Sequence, residues 1–487
     1  METKTLKRDL ITLLILGIFF IAAMFVFSCY TSPLYPNYFG WDSAIFSLLG
    51  KGMISGKELY TELFDHKGPV IFAINALGHA IGGRGGIFFL QCVSGLITLC
   101  FLYFTGKMLR PNLGRKWILA CGILLVCAGS LMLYTMESGN LTEEYSLPLI
   151  SCALYFFVKY ALKAKDEPKH PRLWAVIYGA VFALLSLLRL NNGAAVAAGV
   201  FAIMIYLLYR KQYINLLWNL LFGLIGILLV YIPTFFYFYL QSSLGEMIYA
   251  TFIHNFKIAG NTGHVFLSPF SRGFWTCYFP VVISFLMIAF KIIKERNIEF
   301  IDVMFIVILV VNGLSLWVAN RFAHYFEIFV PVYCIILCRY VSFKLRSVAM
   351  WLALLFSVQY LNFTYQRTVD IAEEVHILGN PRYTIVAEDM AKIPENERDS
   401  VIGYEIEAMD YLAGDIVPCY KYYTLQSTWA ITTPQILPDF MNFVETEEPL
   451  WVLTAVEETG TDLDGILQDK YELQFSNPYV YFYRLAD

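Results

Sequence analysis

The chain has 487 residues, 58% of them hydrophobic and 15% charged, with a formal net charge of −4. That balance excludes a soluble enzyme built around one large core, and it excludes a basic nucleic-acid binder; it describes a polytopic membrane protein. Nine of the ten cysteines lie within or at the ends of apolar runs, with no CxxC spacing, so they read as small hydrophobes.

The first apolar run, 10–27, follows Lys4, Lys7 and Arg8 and has no small-x-small cleavage site after it, so it reads as an uncleaved span. A long loop, 30–69, comes next. It carries Asp42 near its start and Asp65-His66-Lys67-Gly68-Pro69 at its end. Between them Ile45, Leu48, Leu49 and Met53 recur at helical spacing, which predicts an amphipathic helix lying on the membrane surface. The apolar run 70–81 is too short to cross and is expected to lie at the interface or re-enter, with His79 and Arg84 as interfacial anchors. Further spans are expected near 85–107, 117–135, 145–162, 173–189, 193–209, 214–240, 274–291, 301–318, 326–340 and 347–362, about eleven in all.

Lysine and arginine divide the connections into two sets. One holds Lys4/Lys7/Arg8, Lys107/Arg110/Arg115/Lys116, the five basic residues of 159–172, Arg210/Lys211, Lys291/Lys294/Arg296 and Arg339/Lys344/Arg346. The other holds Lys51, Lys57, Lys67, Arg84, Arg189, Lys257, Arg272 and Arg321. The positive-inside rule makes the first set cytoplasmic. After residue 362 the apolar runs shorten to strand length at 384–387, 401–404, 451–456, 472–475 and 479–484, with helical stretches at 406–413 and 434–444. That alternation predicts a small α/β domain over 363–487, outside the membrane domain 1–362. From Gln366 onward it has 23 Asp/Glu against 7 Lys/Arg, a charge that keeps it off anionic lipid and nucleic acid.

Ionisable and other polar residues gather in loops of one set, while the spans beneath are nearly bare. They are Asp42, Asp65, His66 and Lys67; Glu137, Glu143 and Glu144; Arg189 with Asn191 and Asn192; Glu246, His254, Asn255, Lys257 and His264; and Arg321, His324 and Tyr325. A transporter or proton relay would instead place charge at mid-span. The layout suits an enzyme acting at the outer leaflet on a substrate with an apolar tail.

In the order of these motifs the chain resembles the GT-C-fold glycosyltransferases that use polyprenyl-phosphate sugars, such as protein O-mannosyltransferases and the aminoarabinose transferase of lipid A. The matching features are Trp41-Asp42 after the first span, the following surface helix, and the acid–Lys–Pro element at 65–69, where Gly68 separates Lys67 from Pro69. Thr142-Glu143-Glu144, the basic-aromatic turn Arg321-Phe322-Ala323-His324-Tyr325 and a terminal α/β domain complete the pattern. The resemblance implies a polyprenyl-phosphate-linked sugar donor and a glycan, lipid or protein acceptor. It implies an active site on the extracytoplasmic face of a cell membrane.

The chemistry needs a base for the acceptor hydroxyl and cations for the phosphate where charge builds as the C–O bond breaks. Asp42 is the candidate base for an inverting transfer; its alternative role is N-cap of the surface helix. Lys67 is the candidate phosphate ligand, with Arg189 or Arg321 adding a forked contact. Glu143 and Glu144 are candidate catalytic acids or complements to a helix dipole. Asp65, His66, His324 and Tyr325 are candidate substrate contacts, with interfacial packing the alternative for the last two. No cofactor is required, and a divalent cation is a candidate because Asp42, Asp65, His66 and Glu143 carry suitable ligand atoms. Two other classes remain open: a flippase for lipid-linked sugars, and a non-catalytic scaffold whose acidic domain binds a partner.

Overall fold

A computed structural model describes residues 2–36, 40–261, 272–319, 322–344, 347–377, 381–456 and 463–486. The chain forms two compact units. The first is Met1–Ser28, Phe89–Phe236 and His264–Thr368; the second is Cys29–Phe88, Tyr237–Gly263 and Val369–Asp487.

The first unit is helical. Seven helices of the chain, among the described residues, are long and apolar enough to cross a membrane, from Leu6–Phe27 to Val348–Val375, and Arg172–Leu188 and Phe300–Leu316 are shorter apolar helices. Leu14, Phe19, Leu217, Leu229 and Ile232 point outward and exposed. Apolar surface of that extent needs lipid as its solvent. Helices form at every position expected for a span, with one correction. The predicted span 326–340 is a 3-10 turn, Ala323–Phe329, followed by a helix of only 11 residues, Val330–Tyr340. At 1.5 Å per residue that helix is about half the thickness of a hydrocarbon core.

In the second unit the loop after Cys29 is fixed by Arg84. Its guanidinium donates to the carbonyls of Tyr30 at 2.9 Å and Ser32 at 2.7 Å, so Arg84 is a tether and not an interfacial anchor. The helix Trp41–Ile54 follows. Its residues Ser43 to Gly50 are all buried, and it packs on the helix Ala408–Ala413. The expectation that it lies on the bilayer is corrected: protein covers it. Lys51 pairs with Asp415 at 2.5 Å, and Ser47 meets His79 Nε2 at 2.9 Å. The apolar run after Pro69 does stop short of a span. The helix Pro69–Leu109 breaks at Gly82 and Gly83, where Gly83 has φ 61°. The chain folds back tightly enough that a Cβ on Gly86 would collide with the Gly78 carbonyl.

The C-terminal part of this unit holds a four-stranded sheet in the order β1-β2-β4-β3, with β1 Val401–Tyr404, β2 Trp451–Ala455, β3 Tyr471–Ser476 and β4 Val480–Leu485. The β1 and β2 strands run parallel, pairing Val401 with Trp451, and the other pairs are antiparallel. Four expected strands form. The fifth does not: 384–387 lies inside the helix Pro381–Met390, with Val386 and Met390 buried four residues apart on one face. The helices expected at 406–413 and 434–444 appear as Ala408–Ala413 and Ile436–Glu447.

Candidate functional site

The predicted site residues fall into two groups, one in each unit. In the second unit the helix Trp41–Ile54 begins after Gly40, where any Cβ would run into the Tyr30 ring. The N-cap position belongs to Gly40, and Asp42 stands in the first turn. Capping is therefore not the role of Asp42. Among the described residues no group hydrogen-bonds its half-buried carboxylate. The positive end of the helix favours its charge.

The turn 65–69 is tightly held. Asp65 is 2% exposed and accepts the Lys67 backbone N–H at 2.8 Å. Tyr60 donates its hydroxyl to the Lys67 carbonyl at 2.9 Å, and Asn255 donates to the His66 carbonyl at 2.6 Å. Burial, and behind it the Asp42 charge, pushes the Asp65 carboxyl up against the pull of Lys67. Lys67 Nζ lies 2.8 Å from His66 Nε2. An ammonium can only donate, so His66 accepts there and carries its proton on Nδ1, the nitrogen facing Asp65 at 3.9 Å. The Phe46 ring lies 6.0 Å from Lys67 Nζ. Among the described residues Lys67 has no carboxylate within ion-pair distance. His254, with its ring 5.8 Å from that of His66, is pushed down to about 4 by burial and then by Lys257 and Lys67. It adds no charge near neutral pH.

In the first unit the loop before the helix Thr142–Ala161 is built from consecutive left-handed residues: Glu137, Ser138, Gly139 and Asn140 have φ of 45°, 79°, 97° and 63°. Such residues other than glycine cost about 1–2 kcal/mol each and persist only where their surroundings fix them. The fixing contacts are present. Glu137 accepts from the Ala323 N–H at 3.1 Å and meets His324 Nδ1 at 2.6 Å. Asn140 donates its N–H to Glu144 Oε2 at 2.8 Å, and Tyr145 donates to Asn140 Oδ1 at 3.1 Å.

Glu143 and Glu144 stand in the first turn of that helix, ahead of its apolar length, and both are buried. Arg189 ends the helix Arg172–Leu188 in an extended conformation and donates to Glu143 Oε1 at 2.6 Å. Its guanidinium stacks 3.6 Å from the centre of the Tyr325 ring. Burial alone would raise Glu143, but Arg189, His324 and the Thr142 hydroxyl outweigh it and hold its carboxyl below the usual range. Through one guanidinium nitrogen Arg189 is paired with Glu143. Glu144 accepts from Gln91 Nε2 at 2.8 Å, yet burial pushes it up to about 7. His324 and Tyr325 are not belt residues, since they hold Glu137 and Arg189. Arg321 lies outside the described residues.

One acid escaped the sequence reading. Glu327 sits in the 3-10 turn Ala323–Phe329, fully buried, and among the described residues neither carboxylate oxygen has a hydrogen-bond partner. Glu144, Glu143 and Glu137 are its acidic neighbours, with Arg367 the basic one. A buried ionisable residue of this kind marks function by default. The cation site expected from Asp42, Asp65, His66 and Glu143 finds no support: among the described residues no three His, Cys, Asp or Glu side chains gather closely enough to hold a metal.

No protein-family profile and no curated protein matches the sequence. A solved structure does. The crystal structure of ArnT from Cupriavidus metallidurans bound to undecaprenyl phosphate matches with a TM-score of 0.63 at 14% identity, covering 96% of this chain and 97% of that one. The fold is therefore ArnT-like over nearly its whole length: a multi-span helical membrane protein with a small C-terminal mixed sheet.

Proposed function

We propose that this protein is an integral-membrane glycosyltransferase that moves a sugar from a polyprenyl-phosphate donor to an acceptor hydroxyl on the extracytoplasmic face. The observation that carries the reading is the pair Asp42 and Lys67 in one compact unit. One is a carboxylate with no hydrogen-bond partner among the described residues, the other a cation whose nearest partner is the neutral ring of His66. The fold likeness to a protein solved with undecaprenyl phosphate supports the donor class.

In the reaction, Asp42 takes the acceptor proton as the acceptor oxygen bonds to the anomeric carbon. The bond from that carbon to the phosphate oxygen breaks, and the polyprenyl phosphate leaves with the electron pair. Attack from the face opposite the phosphate inverts the anomeric centre. Lys67 meets the charge that grows on the phosphate, as a compact point charge with three donors. Its ammonium is already held by His66 and its backbone by Asp65, so little reorganisation is needed.

Sugar transfer and lipid-donor affinity, measured on three correctly inserted variants, test this. Asp42→Asn should lower turnover by roughly 10²–10⁴-fold with donor binding kept. Lys67→Ala should weaken donor binding and turnover together, and Lys67→Arg should restore only part, because a planar fork does not copy a point charge. Parental turnover in Asp42→Asn would remove it as the base and turn attention to Asp65, Glu143 and Glu144.

A further inference from the structure

The second unit contains a cavity of about 230 Å³ that the predicted site residues do not explain. Its walls come from the start of the helix Trp41–Ile54 and from the C-terminal part, and they include Trp41, Arg382, Glu405, Glu407, Thr424 and Tyr479. The volume falls below the roughly 300–1,000 Å³ typical of pockets for drug-sized ligands, so it suits a single ring.

Three observations indicate a built site. Trp41 is 68% exposed, although it opens a helix whose residues from Ser43 to Gly50 are buried. An aromatic face held open beside polar groups fits a ligand with one apolar face and a polar rim. Arg382 is fixed as a platform: it forks onto the buried Asp410 at 3.1 and 2.7 Å, reaches Glu407 at 2.9 Å, and lies 5.5 Å from the centre of the Tyr479 ring. Glu405 and Leu425, on the wall, both hold left-handed conformations at φ 55° and 53°. Glu405 is oriented there by the Ser427 N–H, which donates to its carboxylate at 2.6 Å. Strain at two non-glycine residues around one cavity is typical of a ligand clamp.

The charge around the cavity selects the ligand. On the wall one cation, Arg382, which pairs with Glu407, stands against two carboxylates, Glu405 and Glu407, so the wall is net acidic and repels phosphate or carboxylate. We infer that this cavity is an acceptor subsite for one neutral or amino-bearing pyranose ring, stacked on Trp41 with its hydroxyls or ammonium turned to Glu405 and Glu407. This rests on the glycosyltransferase reading, since Asp42 follows Trp41 directly in the helix. It deepens that reading by giving the acceptor class: a glycan without anionic groups at the accepting ring.

Saturation-transfer difference NMR on the full-length protein in nanodiscs tests it without any donor. The probes are methyl β-glucoside, glucosamine and glucose 6-phosphate. The first two should receive saturation at their ring protons and the phosphorylated sugar should not. Trp41→Ala should weaken the signal by about tenfold or more, while Trp41→Phe should keep much of it. Glu405→Gln should weaken glucosamine more than the neutral glycoside. Absence of binding by both unphosphorylated sugars, equal saturation of glucose 6-phosphate, or a signal that survives Trp41→Ala would overturn the proposal. Failure of the transferase reading would show separately, as no sugar transfer by the parent protein from a polyprenyl-phosphate donor while sugar binding stays intact.

Discussion

Glu144 shows what a single buried acid does to this protein. Its Oε2 takes two hydrogen bonds, from Gln91 and the Asn140 N–H, while its Oε1 is buried without a partner among the described residues. A carboxyl at about 7 in the fold, against 4.5 ordinarily, binds its proton more tightly folded than unfolded. Its contribution is therefore fully present below 4.5, falls as the pH rises toward 7, and stays lost above it. The loss is of order 3 kcal/mol. Glu144→Gln keeps an acceptor for both donors and removes the charge, so its Tm should exceed the parent's at pH 8 and converge on it near pH 5. A pH-independent difference in thermal unfolding would rule out this origin. At the same scale, the sequence singles out Asp42 because it opens an amphipathic stretch after Gly40-Trp41, and Lys67 because it precedes Gly68-Pro69. Glu327 was not, since a lone acid at the start of an apolar run reads as part of a span. Nor was the Glu143–Arg189 pair, whose members lie 46 residues apart.

Elements were read well wherever one period dominated. The apolar runs gave helices at the expected places, and four strands formed within a residue or two of expectation. The run 384–387 failed because three β-branched residues and an alanine are too few to show a period, and the wider spacing of Val386 and Met390 belongs to a helix. The break at Gly82 and Gly83 was legible only as an end to the short apolar run; the tight return that follows depends on two glycines meeting across it. That return sets the end of the helix from which Lys67 hangs. Gly86→Ala puts a Cβ into the Gly78 carbonyl and should cost about 1–3 kcal/mol, with a weaker donor affinity as the turn at 65–69 shifts. Gly85→Ala, where a Cβ meets nothing within 4 Å, is the matched control and should keep parental stability. Equal thermal stability of the two variants in detergent would contradict the return.

At the scale of the whole molecule, the assembly of the second unit from three distant segments was invisible in the sequence. Local periods carry no information about partners hundreds of residues away, so the loop 30–69 read as a membrane-surface element although Lys51 pairs with Asp415 and Phe64 meets Trp429 edge to face at 5.3 Å. What the sequence does carry at this scale is the asymmetry of Lys and Arg, and sidedness follows from it as a prediction. Positively charged segments resist translocation, so the connections rich in Lys and Arg stay in the cytoplasm and the acidic C-terminal part ends outside. Lys116, Lys169 and Lys392 are exposed, and Lys57 is half-buried. Single cysteines at 57, 116, 169 and 392, in a background cleared of the ten native ones, should therefore divide under a membrane-impermeant maleimide on intact cells. Positions 57 and 392 should label from outside, and 116 and 169 only after the membrane is opened. The reverse pattern would put Asp42 and Lys67 on the cytoplasmic face and end the proposal of transfer at the outer leaflet. Labelling at 392 without labelling at 57 would split the second unit across the bilayer, which its internal ion pairs and ring contacts forbid.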